Sequence, residues 1–325
     1  MKNAYQLIGW CTFAVCLTAC EDHRLSPNAS FPERVDFVAR RQYPEGIAYS
    51  AQLDRFVISS VTQGKIGTVT TDGRYEDLLS DPGLISVNGL KVAGDRLIVT
   101  NNDQGASDKS TAQTTRQTAE LFVFSLSTRQ LERRIDLDDL LPAAEPNLAN
   151  DLVITPDGTI YVTDSFSPVI YKVTSNGQAS VLVRDDVRFT SPTFGLNGIV
   201  YHPDGYLIVA NTGQGKLYKV DLKNGNAVTE VIGTGPLPGD GLTLLNNDLY
   251  VVTGSGSQVA QLHSNDNWQS AVVLKRDTNG YFQATTSVAV NNQIFTLNGR
   301  IGEVGAAMGD RSKLQSNDYS IQRFK

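Results

Sequence analysis

The chain has 325 residues, 40% hydrophobic and 19% charged, which fits a packed globular protein of one large or two ordinary domains and excludes a disordered one. Its formal charge of −6 argues against nucleic acid or an anionic membrane surface as the main partner, because phosphate neutralisation needs clustered Lys and Arg. The three histidines, His23, His202 and His263, are too few and too scattered for HExxH or three-histidine zinc chemistry.

The N-terminus reads as an export signal. Lys2 is followed by a mostly apolar stretch over residues 4–15, then by Leu17-Thr18-Ala19-Cys20. The stretch is too short to span a bilayer and has the flanks of a cleaved signal. Small residues just before a cysteine resemble the lipobox of bacterial lipoproteins, which implies cleavage before Cys20 and a lipid on that residue. An ordinary secretory signal with a chance cysteine is the other reading. The expected organisation is a signal over 1–19, a tether over 20–33 and one domain over 34–325, exported and anchored to a cell-envelope membrane. Cys11, Cys16 and Cys20 are the only cysteines, so the body holds no disulfide, zinc thiolate or catalytic thiol.

From there the chain repeats. Pro44-Glu45-Gly46-Ile47 opens the first unit and runs into the apolar Arg55-Phe56-Val57-Ile58. Val87-Asn88-Gly89-Leu90, Ala149-Asn150-Asp151-Leu152, Leu196-Asn197-Gly198-Ile199, Gly239-Asp240-Gly241-Leu242 and Thr286-Ser287-Val288 open the next five. Each is followed by a turn, such as Pro156-Asp157-Gly158 or Pro203-Asp204-Gly205, and a second apolar strand. Third strands, such as 169–173 and 216–220, and fourth strands, such as 179–183, complete the units. Four short strands at a period near 45 residues predict an all-β fold, a six-bladed β-propeller of four-stranded blades. The sixth unit lacks a fourth strand, and the spare strand 35–39 is expected to supply it and close the ring, since an open ring leaves an exposed edge. Residues 137–144 are expected to make one short helical turn. Two segments, 101–120 and 300–318, break the spacing; they are either solvated loops or a lid over one face.

The repeated position carries the chemistry. Glu45, Asn88, Asn150, Asn197, Asp240 and Ser287 precede the channel-lining strands and are expected to converge at one mouth of the channel. All six offer oxygen, which suits a hard cation such as Ca2+, bound by six to eight oxygens. Turn and cap preference is the competing reading for Asn-Gly and Asp-Gly, but it does not explain Glu45.

Pro44-Glu45-Gly46, Asn150-Asp151, Leu196-Asn197-Gly198-Ile199 and Asp240-Gly241 together resemble the gluconolactonase/regucalcin family of six-bladed propellers over about residues 35–325. That resemblance implies one divalent cation, most often Ca2+, held by Glu45, Asn197 and Asp240, with Asn150 close by and Asn88 sharing the mouth as substrate-binding residues. It implies hydrolysis of a lactone or related ester, with Asp240 as general base or water-orienting group. The sequence departs from the family at Leu148, where sugar lactonases often carry Arg, so the resemblance does not extend to sugar-lactone specificity. Tyr161, Phe166, Phe194 and Tyr201 are candidates for an apolar pocket wall or for ordinary strand packing. His202 reads as a surface-turn residue, and His263 has no evident partner. The alternative function is a non-catalytic ligand- or protein-binding propeller lipoprotein with a structural cation. The expected partners are a small lactone or ester and the membrane through Cys20, with no nucleic acid, and the expected state is a monomer.

Overall fold

The computed structural model describes residues 31–253 and 257–325, so the predicted signal, Cys20 and most of the tether lie outside the described residues. Among the described residues the fold is almost entirely β. In chain order, β1 (Arg34–Val38) is followed by the meander β2 (Ile47–Ser50), β3 (Arg55–Ile58), β4 (Lys65–Val69) and β5 (Tyr75–Ser80). Next come β6 (Ser86–Ala93), β7 (Arg96–Asn102), β8 (Gln117–Ser125) and β9 (Leu131–Asp136), then β10 (Asn147–Ile154), β11 (Ile160–Asp164), β12 (Val169–Val173) and β13 (Ala179–Arg184). Two further meanders are β14 (Leu196–His202), β15 (Tyr206–Asn211), β16 (Lys216–Asp221) and β17 (Ala227–Glu230), and β18 (Leu242–Leu245), β19 (Asp248–Thr253), β20 (Gln258–His263) and β21 (Val272–Asp277). The chain ends with β22 (Ala284–Val290), β23 (Gln293–Asn298), the helix α1 (Ile301–Ala307) and β24 (Asp318–Arg323).

These strands form a β-propeller of four-stranded blades, but not six separate ones. Four sheets stand alone with four strands each; the remaining eight strands, β6–β13, form one sheet. The cause is local. β8 runs on past its meander, and its first residues pair in parallel with the start of β10, Gln117 with Asn147 and Leu148 with Thr118. The two halves of that sheet still face each other across a core, with Leu121, Ala149, Val162 and Tyr171 fully buried between them. Comparable cores lie between other neighbouring sheets, around Ile66 and Phe122 and around Leu207 and Leu196. The inner strands β2, β6, β10, β14, β18 and β22 touch in that cyclic order, and β22 returns to β2.

The strand before the first meander does complete the last sheet. β1 pairs antiparallel with β24 from Arg34–Gln322 to Val38–Asp318, giving the order β1-β24-β23-β22. Val35 and Phe37 point inward and their neighbours outward, the alternation expected of a half-buried strand. The short helical turn expected within 137–144 is a 3-10 turn at Asp138–Leu140.

The Asn-Gly pairs of the repeat are not turns. They lie inside the inner strands, at bulges. The register with the second strand shifts between Val87 and Leu90, Ala149 and Leu152, Leu196 and Ile199, and Ala284 and Ser287. A bulge adds an unpaired residue and re-aims a side chain; here it does so at the same place in four inner strands. The glycines that follow Glu45, Asn88 and Asn197 are required by packing. A Cβ on Gly89 would stand 2.6 Å from the Asn150 carbonyl oxygen, and one on Gly46 or Gly198 would overlap the carbonyl of Asn88 or Asp240 on the next inner strand.

Candidate metal and substrate site

Five of the six predicted residues line one cavity of about 280 Å³: Asn88, Asn150 and Asn197 at the bulges of β6, β10 and β14, and Glu45 and Asp240 just before β2 and β18. Ser287 is not among them. The bulge in β22 brackets Thr285 and Thr286, so Thr285 occupies the place of Asn88 and Asn197, as its carbonyl confirms by accepting from Gly241 N just as Asp240 O accepts from Gly198 N. Ser287 lies two residues further along, where its Oγ meets Thr243 Oγ1 at 2.8 Å. The expected register in the last unit was therefore off by two. A signal for the right one was present: Asn101, Asp164, Asn211 and Asn298 stand at or next to the ends of the second strands, each opposite the residue just before the bulge.

The donors are held by their backs. Asn197 Nδ2 donates to Thr212 Oγ1 at 3.2 Å, and Thr212 Oγ1 donates to Gly239 O at 2.6 Å. Asn150 Nδ2 donates to Ser165 Oγ at 2.7 Å, and Ser165 Oγ donates to Leu196 O. Thr100 and Thr163 tie the carbonyls of Asn150 and Asn197 at 2.8 and 2.6 Å, and Ser59 Oγ accepts from the backbone of Glu45 and Gly46. These hydroxyls, which reading the repeat by its first strands missed, link each inner strand to a neighbour.

The amide nitrogens of Asn150 and Asn197 are engaged, and the Oδ1 atoms of Asn88, Asn150 and Asn197 are buried and accept from no group among the described residues. Buried polar atoms ordinarily have partners. Burial raises the Glu45 carboxyl well above the usual range, with the charges of Asp240 and Asp151 adding to it and Lys91 opposing. Burial likewise pushes Asp240 up to about 7, against a hydrogen bond from Asn197 and helped by Asp151. Two crowded carboxylates and three unpartnered amide oxygens form a donor set that fits a hard divalent cation. The set is poor in charge: among the described residues no group of three or more His, Cys, Asp or Glu is placed to hold a metal. Beneath it, Lys91 Nζ pairs with Asp151 Oδ1 at 3.3 Å beside Glu45 and Asn197.

The opposite wall is largely apolar, and part of it comes from the two segments that break the repeat. Gln104 and the α1 residues Ile301, Gly302 and Gly305 line the cavity, with Phe194 and Ala284. The segments are built against each other. Asp103 accepts from Gly105 N, Ser110 Oγ and Thr114 Oγ1 at 2.7, 2.5 and 2.7 Å, which folds the first one. Ala106 then packs with Tyr43, Val304, Ala307 and Leu314, Arg41 grips Asp108, and Arg311 reaches Ser107 O. Of the two readings of these segments, the structure supports a roof over the cavity rather than solvated loops.

Of the four aromatic candidates, Phe194 lines the cavity and Phe166 packs on it with ring centroids 5.6 Å apart, whereas Tyr161 and Tyr201 belong to the core between sheets. Leu148 is fully buried, its N–H held by the Asp164 carboxylate. His202 is not a surface-turn residue: it is buried, stacked on Tyr206 at 4.4 Å and bonded to Asn247 Oδ1. His263 has partners, Asp248 and Asn265. Neither histidine lines the cavity.

The model of the SMP-30/Gluconolactonase/LRE-like region matches residues 43–285, from the first donor strand to the last bulge. The chain belongs to this family. No curated protein matches it closely enough to add a relative. Among solved structures it is similar to the major allergen Mala s 1 of Malassezia sympodialis, with a TM-score of 0.70, 16% identity, and coverage of 91% of this chain and 97% of that one. It is similar to the calcium-binding protein regucalcin of Agrobacterium tumefaciens (TM-score 0.61, 15% identity, 90% and 93% covered). It is also similar to a gluconolactonase of Xanthomonas campestris (TM-score 0.59, 15% identity, 90% and 89% covered). At these identities the likeness is one of fold; the family rests on the sequence match.

Proposed function

We propose that the chain is a divalent-cation-dependent hydrolase of lactones or related esters, acting at the cavity between the inner strands and the roof. The observation that carries this reading is the convergence of three buried, unpartnered amide oxygens with two raised carboxylates. Family membership supports it, as do the names of a calcium-binding and a gluconolactonase neighbour. Glu45, Asn197 and Asp240 would hold the cation, with Ca2+ favoured by an all-oxygen donor set. A cation bound there supplies Lewis acidity to a carbonyl oxygen.

The rest is done by the chain. Asn88 and Asn150 orient the ester, Asn150 being itself fixed by Ser165. Asp240 accepts a hydrogen bond from the attacking water and takes its proton, the acyl C–O bond breaks, and the proton passes to the leaving alkoxide, giving hydroxy acid. The roof excludes bulk water. The apolar part of the cavity lining, Phe194, Ala284 and Ile301, fits an apolar ring or acyl group better than a sugar.

Two wider readings belong to the same proposal. The cyclic contact of six inner strands supports six blades, two of them fused through the β8–β10 pairing. Export with a lipid on Cys20 places a monomeric enzyme at the cell envelope, tested by membrane fractionation and N-terminal mass of a Cys20→Ala variant.

The deciding experiment is hydrolysis of a lactone and ester panel with calcium and with chelator, on wild type and Asp240→Ala. Calcium-dependent turnover lost in the variant supports the enzyme. No turnover on any substrate, with calcium still raising Tm, overturns it in favour of a binding propeller with a structural cation.

A further inference from the structure

Arg116 stands where the first inserted segment re-enters β8. Its backbone is fixed on both sides, the N–H donating to Asp103 O at 2.7 Å and the carbonyl accepting from Asn147 N at 2.9 Å. Its guanidinium lies 4.0 Å above the Phe166 ring. Phe166 packs on Phe194, and Phe194 lines the cavity. A cation, an aromatic ring and a second ring thus run in sequence to the cavity wall.

Two further features single out this arginine. Most arginines of the chain are committed: Arg41 to Asp108, Arg134 to Glu120, Arg184 to Glu145, Arg300 to Glu303. Among the described residues, no carboxylate or carbonyl accepts from the Arg116 guanidinium, and the residue is exposed. Stacking occupies only its face. The in-plane N–H edges stay available and are held in one orientation, the arrangement that suits bidentate capture of a carboxylate. Meanwhile the cavity lining contains two carboxylates and no Lys or Arg. An anionic ligand group would be repelled by those carboxylates unless a cation covers them, and Arg116 is the basic group at the aromatic side.

We propose that Arg116 is the anion-recognition residue of this cavity. The ligand class is a carboxylate joined to an apolar or aromatic body, the body lying along Phe194 and Phe166 and the carboxylate on the guanidinium. The inference deepens the proposed function by naming the substrate class of the same cavity, and it rests on that cavity being the substrate site.

The test has a binding arm that does not need turnover. Phenylacetate and its neutral isostere phenylacetamide are titrated into the mature chain loaded with calcium, as wild type, Arg116→Gln and Arg116→Lys, with Tm measured for each. Wild type should prefer phenylacetate, and Arg116→Gln should weaken phenylacetate about tenfold while leaving phenylacetamide unchanged, with Arg116→Lys between them. In a second arm, carboxylate-bearing and neutral aryl esters are compared, and the variant should raise KM for the charged members alone with kcat kept. Equal affinity of wild type for the two probes, or equal weakening of both in Arg116→Gln, overturns the inference, as does a variant that lowers Tm with no change in probe selectivity. Absence of turnover in wild type counts against the hydrolase reading only, since the binding arm is read independently.

Discussion

Thr212 holds Asn197 from behind: its Oγ1 accepts from Asn197 Nδ2 at 3.2 Å and donates to Gly239 O at 2.6 Å, one residue before Asp240. One hydroxyl thereby fixes two of the three proposed cation ligands, which lie on different inner strands. Thr212→Val keeps the shape and removes both bonds. Calcium affinity, measured by titration calorimetry, should fall ten- to a hundredfold, the range seen when groups behind a metal ligand are lost. Thr212→Ser should retain most of it. Unchanged affinity in the valine variant would mean that Asn197 does not need this support.

Much of this arrangement is legible in the sequence, and what is not has a physical cause. The donors Glu45, Asn88, Asn150, Asn197 and Asp240 stand out because each opens the apolar run of its unit at the same place in the repeat, and β1 is legible because the last unit is one strand short. Ser287 was misplaced because the bulge of the last inner strand holds Thr285 and Thr286, with neither an Asn or Asp nor a glycine to mark the position. The fusion of β6–β13 into one sheet depends on a two-residue parallel pairing that leaves no periodic trace. The roof is invisible to a search for repeats because both of its segments are departures from the repeat, and Arg116 is hidden for the same reason.

The roof sets a size limit at Gly305. A Cβ on Gly305 meets nothing within 4 Å although the residue lines the cavity, while one on Gly302 would press on the Gln283 side chain. The Cβ of Gly305→Leu therefore meets no clash, its longer side chain is expected to take up space at the cavity, and the change also favours α1, since glycine is a poor helix former. Turnover of esters with large acyl groups should drop at least about tenfold, an effect on the order of one lost apolar subsite, while small lactones are hydrolysed near the wild-type rate. Tm should stay or rise. Equal loss on small and large substrates would show that the substrate does not lie beneath α1.

The two carboxylates predict an inverted pH dependence for the metal-free protein. Asp240 moves from 3.8 to about 7 on folding, chiefly through burial, and Glu45 is raised too. Without a cation the native state then binds more protons than the unfolded chain between about pH 4 and pH 7, so its stability falls as pH rises through that window. In chelator, Tm should drop between about pH 4 and pH 7; in saturating calcium the drop should vanish, and calcium affinity should weaken as pH falls below about 7. Scanning calorimetry in both buffers checks this, and identical pH profiles would argue that no cation binds these groups.

Lys91 and Asp151 tune the same site from below. Their ion pair, 3.3 Å long, is part-buried beside Glu45 and Asn197. With Glu45, Asp240 and Asp151 ionised against one lysine, the local charge is that of two carboxylates, which a single divalent cation neutralises. Lys91→Met leaves Asp151 uncompensated in a low-dielectric setting, where a removed charge is felt strongly by its neighbours. Calcium binding should tighten about tenfold in Lys91→Met and weaken about tenfold in Asp151→Asn. In chelator Lys91→Met should also melt lower, because an unpaired buried carboxylate is costly, so its calcium-induced rise in Tm should exceed that of wild type. Matching calcium affinities in both variants would mean that the pair is screened from the donors and serves packing alone.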